Sequence, residues 1–166
     1  MRTRHPVIGI DSSFVSVALV GGVSEYDFLT YKVDMPKDPF ARPLAGYRAV
    51  TRFLRQVRGH YGGHVDLVVI EAPVVAGARN IQSTIKQSMV NGALQAAVRQ
   101  QKIPFELIAI SSWKKEALGK GNLDKPGVKR AVRSRWPDAA TRLGSDQDLF
   151  DAYSIYICAL DKTTEV

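Results

Sequence analysis

Two apolar runs constrain this chain more than any other feature. Val7-Ile8-Gly9-Ile10 ends in Asp11, and Leu67-Val68-Val69-Ile70 ends in Glu71. Branched residues favour strands, and a run without polar alternation belongs to a strand covered on both faces. Each strand then carries one carboxylate to the end of a buried sheet, where it meets solvent. Neighbouring strands lie about 5 Å apart, so the two acids converge if these strands are adjacent.

The other segments supply the layers such a sheet needs. The first strand spans roughly Val7–Asp11, a second Phe14–Val20 and a third Val23–Val33, with Gly21-Gly22 as a tight hairpin turn. Pro36, Pro39 and Pro43 mark a loop. Leu44, Tyr47, Val50, Leu54 and Val57 recur at helical spacing, which predicts a helix over Leu44–Val57. Arg48, Arg52, Arg55 and Arg58 give it a basic outer face, readable as a solvated surface or as a DNA contact. After the strand Val65–Glu71 comes a loop of small residues carrying Arg79. A long helix follows, from Asn80 or Ile81 to Gln101, whose Gly92 and alanines allow another element or a second subunit to approach closely. Phe105–Ile110 is the fifth strand, and Ser111 and Ser112 offer an N-cap to a short helix ending near Leu118. Gly119-Lys120-Gly121-Asn122 is a loop, Asp124 or Lys125 to Trp136 a helix, Pro137–Gly144 a connector, and Asp146–Leu160 the last helix, with a frayed tail over about 161–166. Antiparallel strands followed by alternating helices and strands imply an α/β fold. Its mixed five-stranded sheet carries helices on both faces, in a single domain over residues 1–166.

The chain carries 23 Lys and Arg against 16 Asp and Glu, a net charge of +7, which suits a polyanionic partner, nucleic acid first. Cys158 is the only cysteine, so an internal disulfide is excluded, and we read it as a buried small residue. His5, His60 and His64 lack the spacing of a zinc site. No apolar run is long enough to span a membrane or to serve as a signal peptide.

In the last helix Asp148 and Asp151 stand three residues apart and share a face. The rest of that helix is apolar and packs on the sheet, so two neighbouring acids at its start need neutralising. Ser145-Asp146-Gln147-Asp148 also matches a capping box, with Ser145 at the N-cap and Asp148 at N3. Asp146 falls on nearly the opposite side from Asp148. Asp11, Glu71, Asp148 and Asp151 together form an all-carboxylate set without His or Cys, which favours Mg²⁺ or Mn²⁺. Two such ions about 4 Å apart suit hydrolysis of a phosphodiester.

Val7–Ser13, Val69-Ile70-Glu71, the block from Trp113-Lys114-Lys115 through Gly119-Lys120-Gly121-Asn122 to Lys125, and Asp148-Leu149-Phe150-Asp151-Ala152 resemble the RuvC-type Holliday junction resolvases. The short length is closer to the phage-encoded branch. The resemblance covers nearly the whole chain and implies a ribonuclease H-like fold. It also implies a homodimer, formed through the helix at about 80–101, that cuts opposed strands of four-way DNA and leaves 5′ phosphate and 3′ hydroxyl ends. It places Asp11, Glu71, Asp148 and Asp151 at the catalytic metal positions, with two Mg²⁺ per site and Mn²⁺ able to substitute. Lys114 and Lys125 fall beside the scissile phosphate as catalytic and DNA-contacting residues. Arg79, Lys115, Lys120 and Lys129 are further candidate DNA contacts. A bacterial or phage-infected host cytoplasm is the expected location.

One departure stands out. Bacterial members carry an aromatic residue soon after the glutamate, whereas here Glu71 is followed by Ala72-Pro73-Val74-Val75. Activity on other branched DNA is therefore expected alongside four-way junctions. Alternatives from other classes are a ribonuclease H-like nuclease of RNA–DNA hybrids or of the transposase type, and a catalytically inactive junction-binding protein. Sugar kinase and actin-like ATPases open on a similar strand but need two lobes and a second phosphate loop, for which this chain is too short. The Gly119-Lys120 loop lacks the remaining residues of a P-loop. Trp113 and Trp136 are read as core rather than as base-stacking residues.

Overall fold

The structure, a computed structural model, describes residues 5–74 and 81–164. Its strands are β1 (Val7–Ser12), β2 (Ser16–Gly22), β3 (Phe28–Asp34), β4 (Leu67–Glu71) and β5 (Phe105–Ile108). They form one sheet in the order β3-β2-β1-β4-β5. β1 lies at the centre. It pairs antiparallel with β2 and parallel with β4, setting Ile10 opposite Ile70. The helices are α1 (Arg42–Tyr61), α2 (Ile81–Gln100), α3 (Ile110–Leu118), α4 (Lys125–Arg135), α5 (Pro137–Leu143) and α6 (Gln147–Thr164).

Alternation along the strands divides the core in two. Ile8, Ile10, Leu19, Val68 and Ile70 point to one face, against Phe53 and Leu54 of α1 and Val90 and Leu94 of α2. Val7, Val20 and Val69 point to the other, against Phe150, Tyr153 and Tyr156 of α6 and Trp113 of α3. The expected α/β class, five-stranded mixed sheet and two-sided helical cover are therefore observed. Among the described residues no helix is long and apolar enough to cross a membrane.

Gly9 decides how α6 sits. A side chain there would strike the Tyr156 amide nitrogen, the Tyr156 Cα at 2.6 Å and the Ala152 carbonyl oxygen at 2.7 Å. The bare glycine lets the helix backbone rest directly on the central strand. Asp11 lies two residues further along the same face of β1, and Asp148 and Asp151 lie within about a turn before Ala152. The crossing point thus brings the start of α6 to the end of β1.

Several local expectations need correction. Gly21 and Gly22 belong to β2, not to a turn, and Gly22 pairs with Phe28. A Cβ on Gly22 would meet the Asp27 carbonyl, so glycine serves a close approach there rather than a special φ. Pro137–Gly144 is not an irregular connector. It forms helix α5, with Pro137 in its first turn and Ala139, Ala140 and Leu143 buried. Helix α3 starts at Ile110 after an extended Ala109, and neither Ser111 nor Ser112 caps it. The cap of α6 is Asp146 rather than Ser145, since Asp146 Oδ1 accepts from the amides of Asp148 (3.0 Å) and Leu149 (3.3 Å). Helix α6 continues to Thr164, whose hydroxyl donates back to Leu160 O at 2.8 Å, so the expected frayed tail is helical to that point.

Candidate active site and nucleic-acid interface

Asp11 is the penultimate residue of β1 and Glu71 ends β4, one rung beyond the Ile10–Ile70 pair and on the face that α6 covers. Both are buried, at 9% and 6% exposure. Asp148 and Asp151 reach the same region from the first turns of α6. Burial, followed by the charges of Glu71, Asp151 and Asp148, pushes the Asp11 carboxyl well above the usual range. Glu71 is pushed up to about 7, mainly by burial. The Trp113 hydrogen bond and the Lys114 charge oppose the rise, and Asp151 adds to it. Asp151 is pushed up to about 6 by burial, opposed by its hydrogen bond from Gln147 and by Lys114 and Lys125. The four acids therefore share one field. Among the described residues, however, no three acids, histidines or cysteines are grouped tightly enough to enclose a metal ion as they stand.

Three of the four acids have a dedicated holder. Trp113 Nε1, fully buried on α3, donates to Glu71 Oε2 at 2.6 Å. Asn91 Nδ2 of α2 donates to the Glu71 carbonyl at 2.8 Å and itself accepts from Gln95 Nε2. Gln147 Nε2 donates to Asp151 Oδ1 at 2.8 Å. Ser16 Oγ donates to Asp148 Oδ2 at 2.8 Å, and Lys32 Nζ lies 2.9 Å from the same oxygen. Lys32 also contacts Asp146 Oδ2 at 2.7 Å, so Asp146 and Asp148, expected on opposite sides of the helix, meet on one lysine. Burial works against the charged forms of Lys32 and Asp146, yet their mutual hydrogen bond prevails, raising the lysine and lowering the aspartate. Among the described residues Asp11 has no such cation in contact. It is a buried carboxylate crowded by like charges, and the donor set around it is all oxygen, which suits a hard divalent cation.

The lysines sort into two groups. The charges of Lys114 and Lys125 reach the acids, from α3 and from the start of α4. Lys114 Nζ also donates to Leu123 O at 2.7 Å, tying α3 to the loop that carries Lys120. Lys115 and Lys120 are exposed. Lys129 Nζ donates to Ser145 O and spans from α4 to the foot of α6. A shallow groove of about 350 Å³ runs beside the acids between Lys125, Lys129, Arg130, Arg133 and Gln147. Arg79 lies outside the described residues.

Lys32, Ser16, Asn91 and Gln147 were not singled out from the sequence. Only Gln147 left a signal there, its four-residue spacing to Asp151 on a helix. Trp113 is core, as expected, but its indole N–H also serves the site. Trp136 packs against the same core.

No family model matches the chain. Over 93 residues it is 37% identical to the crossover junction endodeoxyribonuclease RuvC of Chlamydia trachomatis serovar L2, and the match covers 55% of this chain and 52% of that protein. A second relative of the same name, from Chlamydia caviae, is 36% identical over 94 residues, 56% of this chain and 54% of the relative. The match thus spans about half the length of these relatives. In three dimensions the chain is similar to Thermus thermophilus RuvC, with a TM-score of 0.70, 18% identity and 96% of each chain covered. It is also similar to T. thermophilus RuvC in complex with Holliday junction substrate, with a TM-score of 0.69, 18% identity, and 95% of this chain and 91% of that one covered. The yeast mitochondrial Holliday junction resolvase Ydc2 follows with a TM-score of 0.55, 12% identity, and 98% and 82% covered. The chain resembles RuvC in sequence, and its fold is the RuvC fold, a ribonuclease H-like α/β architecture.

Proposed function

We propose that this chain is a RuvC-type resolvase, a divalent-metal endodeoxyribonuclease that nicks opposed strands of four-way DNA. The observation that carries the reading is the gathering of Asp11, Glu71, Asp148 and Asp151 at one edge of a RuvC-fold sheet, beside a basic groove.

Asp11, Glu71, Asp148 and Asp151 would hold Mg²⁺ or Mn²⁺, two ions per site. Bound there, the metal supplies an activated water for in-line attack and charge stabilisation for the leaving 3′ oxygen. The protein's share is pre-organisation. Trp113 fixes Glu71, Gln147 fixes Asp151, and Ser16 with Lys32 fixes Asp148 through one oxygen. Lys114 and Lys125 offset charge on the scissile phosphate. Lys115, Lys120, Lys129 and Arg79 are assigned to the flanking backbone, where phosphate contacts position the DNA. Because no aromatic residue follows Glu71, other branched DNA is included as substrate.

The partner is a second copy of the chain, docked through α2. Ile81, Ile85 and Met89 recur every fourth residue on that helix and are 58%, 47% and 48% exposed. Such an apolar row on a surface helix calls for a partner.

The deciding experiment is cleavage of a synthetic four-way junction with Mg²⁺, mapping both strands. Paired symmetric nicks with 5′ phosphate ends, lost in EDTA, are expected. Asp11→Asn should bind the junction with wild-type affinity and fail to nick it. Cleavage in chelator, or by Asp11→Asn at the wild-type rate, would overturn the metal site. Equal cutting of RNA–DNA hybrids would move the chain to another ribonuclease H-like class.

A further inference from the structure

Charge is distributed unevenly over this molecule. Of the 23 Lys and Arg, seven lie on α1 and α2, and neither helix contains an Asp or Glu. The other 16 are matched in number by the 16 acids elsewhere in the chain. That layer, on the opposite face of the sheet from α6, therefore carries seven cations and no acid, while the rest of the chain, the basic helix α4 included, balances in number.

Within that layer α1 supplies five arginines. Two are already engaged. Arg42 donates to Pro36 O at 2.8 Å and lies over the Phe14 ring at 3.5 Å, and Arg58 donates to Gln101 Oε1 at 2.6 Å. Arg48, Arg52 and Arg55 are exposed, and the ion pairs found among the described residues involve none of them. Spacings of four and three residues put them on one stripe about 10 Å long. Two shallow depressions follow it. One of about 540 Å³ is lined by Tyr47, Arg48, Thr51, Arg52 and Arg55. The next, of about 430 Å³, shares Thr51 and Arg55 and continues toward Arg58 and Gln101.

We infer that this trough is a second DNA contact, which grips the phosphate backbone of a duplex arm away from the acid site. The inference rests on the resolvase reading for its choice of polyanion. Phosphates repeat about every 3.4 Å along the axis per strand, so a 10 Å stripe faces about three of them. All three exposed cations are arginines, with Arg52 also lying over the Tyr31 ring at 5.7 Å, and their planar forks match phosphate oxygens bidentately. A second copy of the chain cannot fill the trough symmetrically, because arginine would face arginine. The contact inferred is to phosphate, so its contribution is affinity and arm placement rather than sequence choice.

The test is fluorescence anisotropy of the full chain with a plain duplex of about 20 base pairs and with a four-way junction, each titrated with salt. The variant is Arg48→Gln/Arg52→Gln/Arg55→Gln, and Lys37→Gln/Lys102→Gln/Lys162→Gln is its charge-matched control. The stripe variant should lower the slope of log affinity against log salt by roughly 2.7, from three contacts at about 0.9 each. It should bind duplex about tenfold more weakly and nick saturating junction at the wild-type rate. A wild-type slope in the stripe variant, or an equal loss in the control, would overturn the inference. Failure of the unmodified protein to nick junctions would sink the resolvase reading, and the duplex slopes would still decide the stripe.

Discussion

Asp11, Glu71 and Asp151 are carboxyl groups whose ionisation is opposed by burial and, in varying measure, by neighbouring carboxylates. A folded-state pKa above the unfolded one means that the native state binds protons more tightly. Stability from these groups is then present at low pH and lost as pH rises from about 4, the ordinary carboxylate value, toward about 7. Without metal, the melting temperature should fall between about pH 5 and pH 8. Asp11→Asn should flatten that slope and melt higher than wild type at pH 8. Addition of Mg²⁺ at pH 8 should raise the wild-type melting temperature more than that of Asp11→Asn. Calorimetry across pH checks all three, and a melting temperature that rises toward pH 8 in metal-free protein would refute the crowding. Lys32 acts differently. It holds one oxygen of Asp148 from a strand two places away in the sheet order. Lys32→Met should leave junction binding intact and raise the Mg²⁺ concentration for half-maximal nicking by about tenfold, with Lys32→Arg partly restoring it, if loss of such a charged hydrogen bond costs about 1.5 kcal/mol. The acids were legible in the sequence because each ends or starts an element with strong apolar periodicity. Their holders were not. Ser16, Lys32, Asn91 and Trp113 reach the site from four separate elements, and no spacing within one segment encodes that convergence.

At the scale of elements, the site depends on how closely α6 approaches β1. Gly9 is the contact point, and the atoms a Cβ would meet are backbone, which no rotamer change can move. Gly9→Ala should therefore destabilise the fold by about 3 kcal/mol, the upper part of the usual overpacking range. It should also lower nicking, because any relaxation lifts Asp148 and Asp151 away from Asp11. Gly59→Ala, on the exposed side of α1 with open space around its Cα, is the matched control and should be stable. Urea unfolding of the two variants compares them directly, and equal stability would remove Gly9 from its role. The order and type of the main elements followed from hydrophobic period and from the prolines. What escaped was local. The Gly21-Gly22 pair resembles a turn but lies in a strand, where Gly21 faces the side chains of Ile8, Phe53 and Val57 and Gly22 the backbone of Asp27 and Phe28. Pro137 resembles a break but occupies the first turn of a helix, the one place in a helix where a missing amide costs nothing.

The molecule as a whole has one helical layer with seven cations and no acid, and its site acids gather where the ends of β1 and β4 meet the start of α6. A two-fold partner is what would turn one nicking site into a pair. The exposed row of Ile81, Ile85 and Met89 lies on α2, whose Gln87 reaches toward the Ser12 carbonyl next to Asp11 (3.4 Å). Pairing through that row would therefore couple dimer formation to the neighbourhood of the acids. Ile85→Asp places a charge in the middle of the row without touching the core, since Ile85 is 47% exposed. The variant should melt like wild type and run as a monomer in light scattering at concentrations where wild type is dimeric. On a supercoiled plasmid with an extruded cruciform, paired nicks within one binding event give linear DNA, whereas independent nicks give open circles. Wild type should yield mainly linear product and Ile85→Asp mainly open circles. A monomeric variant that still linearised the plasmid would show that coordination does not require the α2 interface. A dimeric Ile85→Asp would show that the subunits pair elsewhere.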